Sequence, residues 1–144
     1  MSLIDKIEKG KSGGPFKAVI YGEAGIGKTT LASQLPKPLF LDTEDGTKKV
    51  GPDRLRVTTW DQLQGYLISL GQDLIGYETI VIDSADWAER LAADAVVLEG
   101  QKKSIEDFGF GKGYILVREK LEKMLAMCDL SLIHISEPTR LGFI

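Results

Sequence analysis

The sequence predicts an α/β fold, a mostly parallel sheet with helices on both faces. Three observations predict it. Short apolar runs alternate with stretches of helical periodicity, the pattern of strand–helix–strand crossovers. A glycine-rich turn, Gly22 to Thr29, sits between the first apolar run and the first helical stretch. Finally, the chemically distinctive residues (Gly22–Thr29, Asp42 with Glu44, and Asp83) all follow strand ends, where such sheets bind ligands.

Phe16 to Tyr21 is a short apolar run that fits a buried strand. Thr29 to Leu35 has helical character until Pro36 stops it. Leu39–Asp42, entered through Pro38, reads as a second strand and Leu55–Thr59 as a third. From Trp60 to Leu74, Leu63, Leu67 and Leu70 recur at helical spacing, with Asp61 near the start. Thr79–Asp83 is β-branched and apolar until its last residue, the strongest strand signal in the chain. Ser84 is placed to cap a helix running to about Gly100, and Tyr114 to about Met127 reads as a final helix. Trp60 and Trp87, each at a helix start, suit packing anchors, and Cys128 suits a small buried hydrophobe.

The bulk composition narrows the classes. The 144 residues suit one domain, and 43% hydrophobic content is ordinary for a globular core. With 18 basic and 21 acidic side chains the net charge is −3, so contact with nucleic acid requires a local basic patch. One cysteine excludes an internal disulfide and fits a reducing cytosol. Neither a signal peptide nor a membrane-spanning apolar run is visible, and a cytoplasmic protein is expected.

The pattern G-x-x-x-x-G-K-[ST] is met by Gly22, Glu23, Ala24, Gly25, Ile26, Gly27, Lys28 and Thr29, with Thr30 following. Its glycines let successive N–H groups turn inward onto phosphate oxygens. Lys28 supplies positive charge to the β and γ phosphates, and the Thr29 hydroxyl is a magnesium ligand. Residues 22–30 therefore form the expected binding site for ATP and Mg2+, with Glu23 facing solvent. Asp83, ending an apolar strand, is expected to hold the magnesium shell with Thr29, directly or through water. Glu44 is the preferred base for the attacking water and Asp42 the reserve, although both also suit a simple turn.

Asp107-Phe-Gly-Phe-Gly-Lys-Gly-Tyr114 packs three glycines, three aromatics and a lysine into eight residues. It reads as a mobile loop offering aromatic faces to unstacked bases. Alternatively, Lys112 reaches a neighbouring subunit's nucleotide, or the segment is a structural turn with Phe108 and Phe110 in the core.

With these motifs placed, Phe16 to Asp129 resembles a family of phage-encoded RecA-like ATPases that includes single-strand annealing recombinases. The likeness rests on Tyr21–Ala32, Pro38–Glu44, Thr79–Ser84 and Asp107–Tyr114, in that order. The resemblance implies a RecA-like P-loop fold. It also implies an ATPase acting on single-stranded DNA in phage recombination or replication, possible homo-oligomerisation, and no membrane partner. A small-molecule kinase and a partner-binding loader ATPase are the competing readings. A GTP-driven switch is disfavoured because Asp83-Ser-Ala-Asp86 lacks the glycine such a switch needs.

Leu130 to Arg140 resembles the translated sequence of an adaptor used to prepare DNA libraries. The expected organisation is therefore a flexible lead-in at 1–14, a core at 15–129 incomplete at its C-terminus, and an adaptor-derived tail at 130–144. His134 accordingly receives no function.

Overall fold

The computed structural model describes residues 2–7, 10, 16–45, 50–131 and 140–143; for 130, 131 and 140–143 it describes the backbone alone. Five strands, β1 (Phe16–Val19), β2 (Pro38–Asp42), β3 (Asp53–Arg56), β4 (Thr79–Asp83) and β5 (Arg140–Phe143), form one sheet. Every pairing is parallel, in the order β1-β5-β4-β2-β3. The helices are α1 (Lys28–Ser33), α2 (Trp60–Gln72), α3 (Ala85–Glu99) and α4 (Lys112–Ser131), with 3-10 turns at Ile4–Lys6 and Glu106–Phe108. This is the α/β architecture that the alternation of runs predicts.

The two-residue period of the central strands divides the core between the faces. Leu39, Leu41, Ile80 and Ile82 pack with α2, α3 and α4 in the larger cluster, which includes Trp60, Leu63, Ala92, Val117 and Cys128. Phe40 and Val81 point the other way, onto Ala32 of α1 with Leu35 beside them. The path from β1 through α1 to β2 crosses the sheet in one direction over the smaller face. The paths from β3 to β4 and from β4 to β5 return over the larger one. Reversing both direction and face keeps a single handedness, as parallel crossovers require.

Within α2, Trp60, Leu63, Leu67 and Leu70 are at most 5% exposed. Burying each such side chain contributes about 1.5–3 kcal/mol. Packing therefore outweighs the roughly 1 kcal/mol of the cap, where Thr59 Oγ1 accepts the Gln62 N–H at 3.2 Å. The Gln62 amide oxygen in turn accepts from both Thr58 N–H and Thr58 Oγ1, each at 2.9 Å. These bonds explain why β3 ends at Arg56: the two threonines expected in the strand are committed to starting the helix. Both the strand and its expected limits are thus displaced toward the N-terminus.

Four further expectations are corrected. The first strand is not buried: Phe16 is 66% and Val19 69% exposed, and neither core cluster includes a β1 residue. It lies at the sheet edge, where one neighbour and little helix cover it. The last helix begins at Lys112 rather than Tyr114, so part of the expected glycine loop is helical. Ser84 holds the N-cap position of α3 but makes no side-chain capping bond. Trp60 is the expected packing anchor, whereas Trp87 is partly exposed beneath Arg90, 4.6 Å from its ring centroid. Cys128 is 1% exposed, and burial pushes its thiol up to about 11, which makes it a core residue.

Of the segment 130–144, residues 132–139 and 144 lie outside the described residues, and His134 with them. Residues 140–143 form β5. Among the described residues, no helix is long and apolar enough to cross a membrane.

Candidate nucleotide site

Equal strand lengths set up the site. β2 and β4 pair in register from Pro38 with Thr79 to Asp42 with Asp83, so two carboxylates end adjacent strands at one level. The glycine loop leaves the same end of β1 and enters α1. Gly27 is the N-cap residue of α1 and adopts φ 102°, a left-handed conformation that favours glycine over any residue with a Cβ. Gly25, at φ 80°, makes the companion bend. Residues 21–27 are exposed, Lys28 and Thr29 half-buried and Thr30 exposed, with Glu23 facing solvent as expected.

Lys28 folds over its own loop. Its Nζ donates to Gly22 O at 2.7 Å and to Glu23 O at 2.9 Å. Thr29 points to the sheet, and its Oγ1 donates to Asp83 Oδ2 at 2.7 Å. Residues 54 positions apart thus meet at the strand ends. Asp83 is 7% exposed, and burial is the main cause that raises its carboxyl above the ordinary range. The Thr29 hydrogen bond opposes that rise; Asp42 and Glu44 add to it, while Lys28 opposes it.

The two candidates for the base separate by environment. Asp42 is fully buried, accepts the Asp45 N–H at 2.7 Å and lies 3.9 Å from Arg54 Nη1. Glu44 is exposed, beyond the strand end, and its Oε2 accepts from Ser84 Oγ at 3.4 Å. The residue that sequence reasoning overlooks is Thr43. It is 4% exposed; its N–H donates to Asp83 O at 2.9 Å, while its hydroxyl pairs with both backbone groups of Ser84. Its position between Asp42 and Glu44 was the available signal.

The glycine-aromatic segment divides its aromatics. Phe108 turns inward against the larger core, while Phe110 is fully exposed, with φ 48° between two glycines at φ 71°. Tyr114 is 58% exposed and donates through Oη to Glu106 Oε1 at 2.8 Å. Gly113 is required by close approach: a Cβ there would lie 2.3 Å from Ile105 O.

A protein family described as an AAA domain matches residues 15–132. The chain is also similar to the SPbeta prophage-derived uncharacterized protein YorG of Bacillus subtilis (strain 168). The two are 26% identical over 118 residues, which cover 75% of this chain and 36% of that protein. The chain thus spans about a third of its relative's length. No solved structure matches it significantly. The matched span takes in the glycine loop, β4 with Asp83 and the helical layer, so the chain belongs to the AAA domain family, whose members bind nucleotides.

Proposed function

We propose that the chain binds ATP with magnesium and hydrolyses it, and that hydrolysis is coupled to handling single-stranded DNA in phage recombination or replication. The observation that carries this reading is the 2.7 Å contact between Thr29 Oγ1 and Asp83 Oδ2. A hydroxyl from the glycine loop and a carboxylate from the far strand are the oxygen donors that magnesium takes alongside phosphate oxygens and water. Thr29 and Asp83 would hold the ion, Asp83 directly or through water. When bound, magnesium neutralises charge developing on the transferred phosphoryl group.

The chain's own residues do the rest. Backbone N–H groups from Gly22 to Thr30 line the phosphates. Lys28 exchanges the carbonyls of Gly22 and Glu23 for the β and γ phosphates. Glu44 orients and deprotonates the attacking water, favoured over Asp42 because it is less buried and lies beyond the strand end. The exposed Phe110 ring, with Lys112 two residues on, supports contact with unstacked bases and phosphate. A homo-oligomer in the bacterial cytoplasm is the setting we favour. It is built from the core at 15–129, with 130–144 taken as adaptor-derived and the sheet completed by native sequence.

The test is ATP binding and turnover with and without single-stranded DNA, in the chain and in a version carrying the source gene's own sequence past Asp129. Lys28→Ala is expected to weaken magnesium-ATP binding by at least about tenfold, consistent with the loss of a charged hydrogen bond. Unchanged affinity refutes the phosphate role. Turnover indifferent to DNA, together with phosphoryl transfer to a small acceptor, replaces this reading with a kinase.

A further inference from the structure

Beyond the last backbone pair of β2 and β4, the ladder is continued by a side chain. Thr43 N–H donates to Asp83 O at 2.9 Å, the final main-chain rung. Thr43 Oγ1 then accepts the Ser84 N–H at 2.8 Å and donates to Ser84 O at 3.0 Å. A single hydroxyl serves both backbone groups of the next residue. Because Thr43 is 4% exposed, little water is at hand to replace it. Leaving a buried N–H unmet costs about 1–3 kcal/mol, so this clasp is a strong constraint on where Ser84 sits.

Ser84 uses that fixed position in an unusual way. It occupies the N-cap of α3, and its carbonyl accepts the first helical bond, from Ala88 N–H at 3.0 Å. Its hydroxyl makes no cap bond and instead donates to Glu44 Oε2 at 3.4 Å. That distance is near the limit for a hydrogen bond, so even a modest shift of Ser84 releases the carboxylate.

We infer that Thr43 is a positioning residue: by clasping the Ser84 backbone it fixes the Ser84 hydroxyl, and through it the Glu44 carboxylate, beside the Thr29–Asp83 pair. The inference rests on the proposed role of Glu44 in orienting the attacking water, and it adds the device that holds Glu44 in place. Thr43→Val keeps the shape of the side chain and removes both hydrogen bonds, whereas Thr43→Ser keeps the hydroxyl and removes a methyl.

The test compares these two variants with Ser84→Ala in the full chain. The readouts are magnesium-ATP affinity, kcat, hydrogen exchange of the Ser84 amide and the carboxyl carbon resonance of Glu44. Thr43→Val is expected to bind ATP within about twofold of the parent while losing about 10²-fold in kcat, the scale of a misplaced catalytic group. In that variant the Ser84 amide exchanges faster and the Glu44 resonance moves. Thr43→Ser restores all three, and Ser84→Ala lowers kcat with residue 84's amide still protected. Parental turnover in Thr43→Val or Ser84→Ala overturns the inference, and so does equal impairment by valine and serine, which marks a packing role. If the parent binds ATP without hydrolysing it, the proposed reaction fails, and the Glu44 resonance still decides the positioning role: unmoved in Thr43→Val, it overturns it. If Thr43→Val does not fold, Ser84→Ala decides by the same resonance and by turnover.

Discussion

Asp83 ends a strand in which every residue is buried, with a second carboxylate, Asp42, paired beside it. Burial first, then Asp42 and Glu44, hold its proton on to higher pH than an ordinary aspartate, against the pull of Thr29 and Lys28. A carboxyl whose pKa is higher folded than unfolded binds more protons in the folded state. Its effect on stability is therefore most favourable below the unfolded pKa and is lost as pH rises through the folded one. Asp83→Asn removes the titration, so its Tm should rise relative to the parent as pH is taken from about 3.5 to about 7. A constant difference across that range would mean that Asp83 is not perturbed. In the same variant ATP binding is expected to survive and hydrolysis to be lost. The place of Asp83 was legible, at a strand end facing the glycine loop, because an apolar strand ending in aspartate after such a loop is a recognisable pattern. Thr43 was not, because its importance arises only when two strands of equal length end side by side, and a threonine after a strand looks ordinary.

At the level of elements, the β4 limits came through from the sequence because its β-branched run is unbroken, and α2 because its leucines repeat at helical spacing. The boundaries that shifted are those decided by hydrogen bonds rather than by periodicity. Thr58 and Thr59 left the third strand to start α2, and the glycine-aromatic segment gave its last residues to α4. Of the three readings considered for that segment, the structural turn holds for Phe108, which packs on the core, and not for Phe110, which faces solvent. Substitutions should separate them. Gly113→Ala sets a Cβ against the Ile105 carbonyl and should destabilise the fold by about 1–3 kcal/mol, read as a lower Tm. Phe110→Ala should leave Tm unchanged and weaken single-stranded DNA binding by about 1–3 kcal/mol, the value of one stacked base. Phe110→Ala with undiminished DNA affinity would take this loop out of the DNA contact.

For the whole molecule, the sheet has a well-covered centre and a sparsely covered edge. β2 and β4 are enclosed by helices on both faces, whereas β1, which carries the glycine loop, pairs with β5 alone among the described strands. The apolar run at Phe16 looked like a core strand because composition reports how hydrophobic a strand is, not how many neighbours the topology gives it. Ending the chain at Ser131 should therefore lower Tm by roughly 5–10 °C, the scale expected from losing a few kcal/mol of strand pairing. It should also weaken ATP binding although every residue of the glycine loop remains; unchanged Tm and affinity would show that β5 is dispensable. Whichever segment fills the place of β5, native or adaptor-derived, the route from Asp83 through β4, that strand and β1 to Thr29 makes strand alignment a measuring device. A slip of one residue at either junction moves the loop about 3.3 Å along the sheet, more than the whole 2.7 Å separation of the Thr29 and Asp83 oxygens. The same slip turns every side chain of the shifted strand to the opposite face. Misaligned copies of this protein would then be screened by chemistry itself, since a chain that has mispaired its edge strand cannot bring the hydroxyl and the carboxylate together.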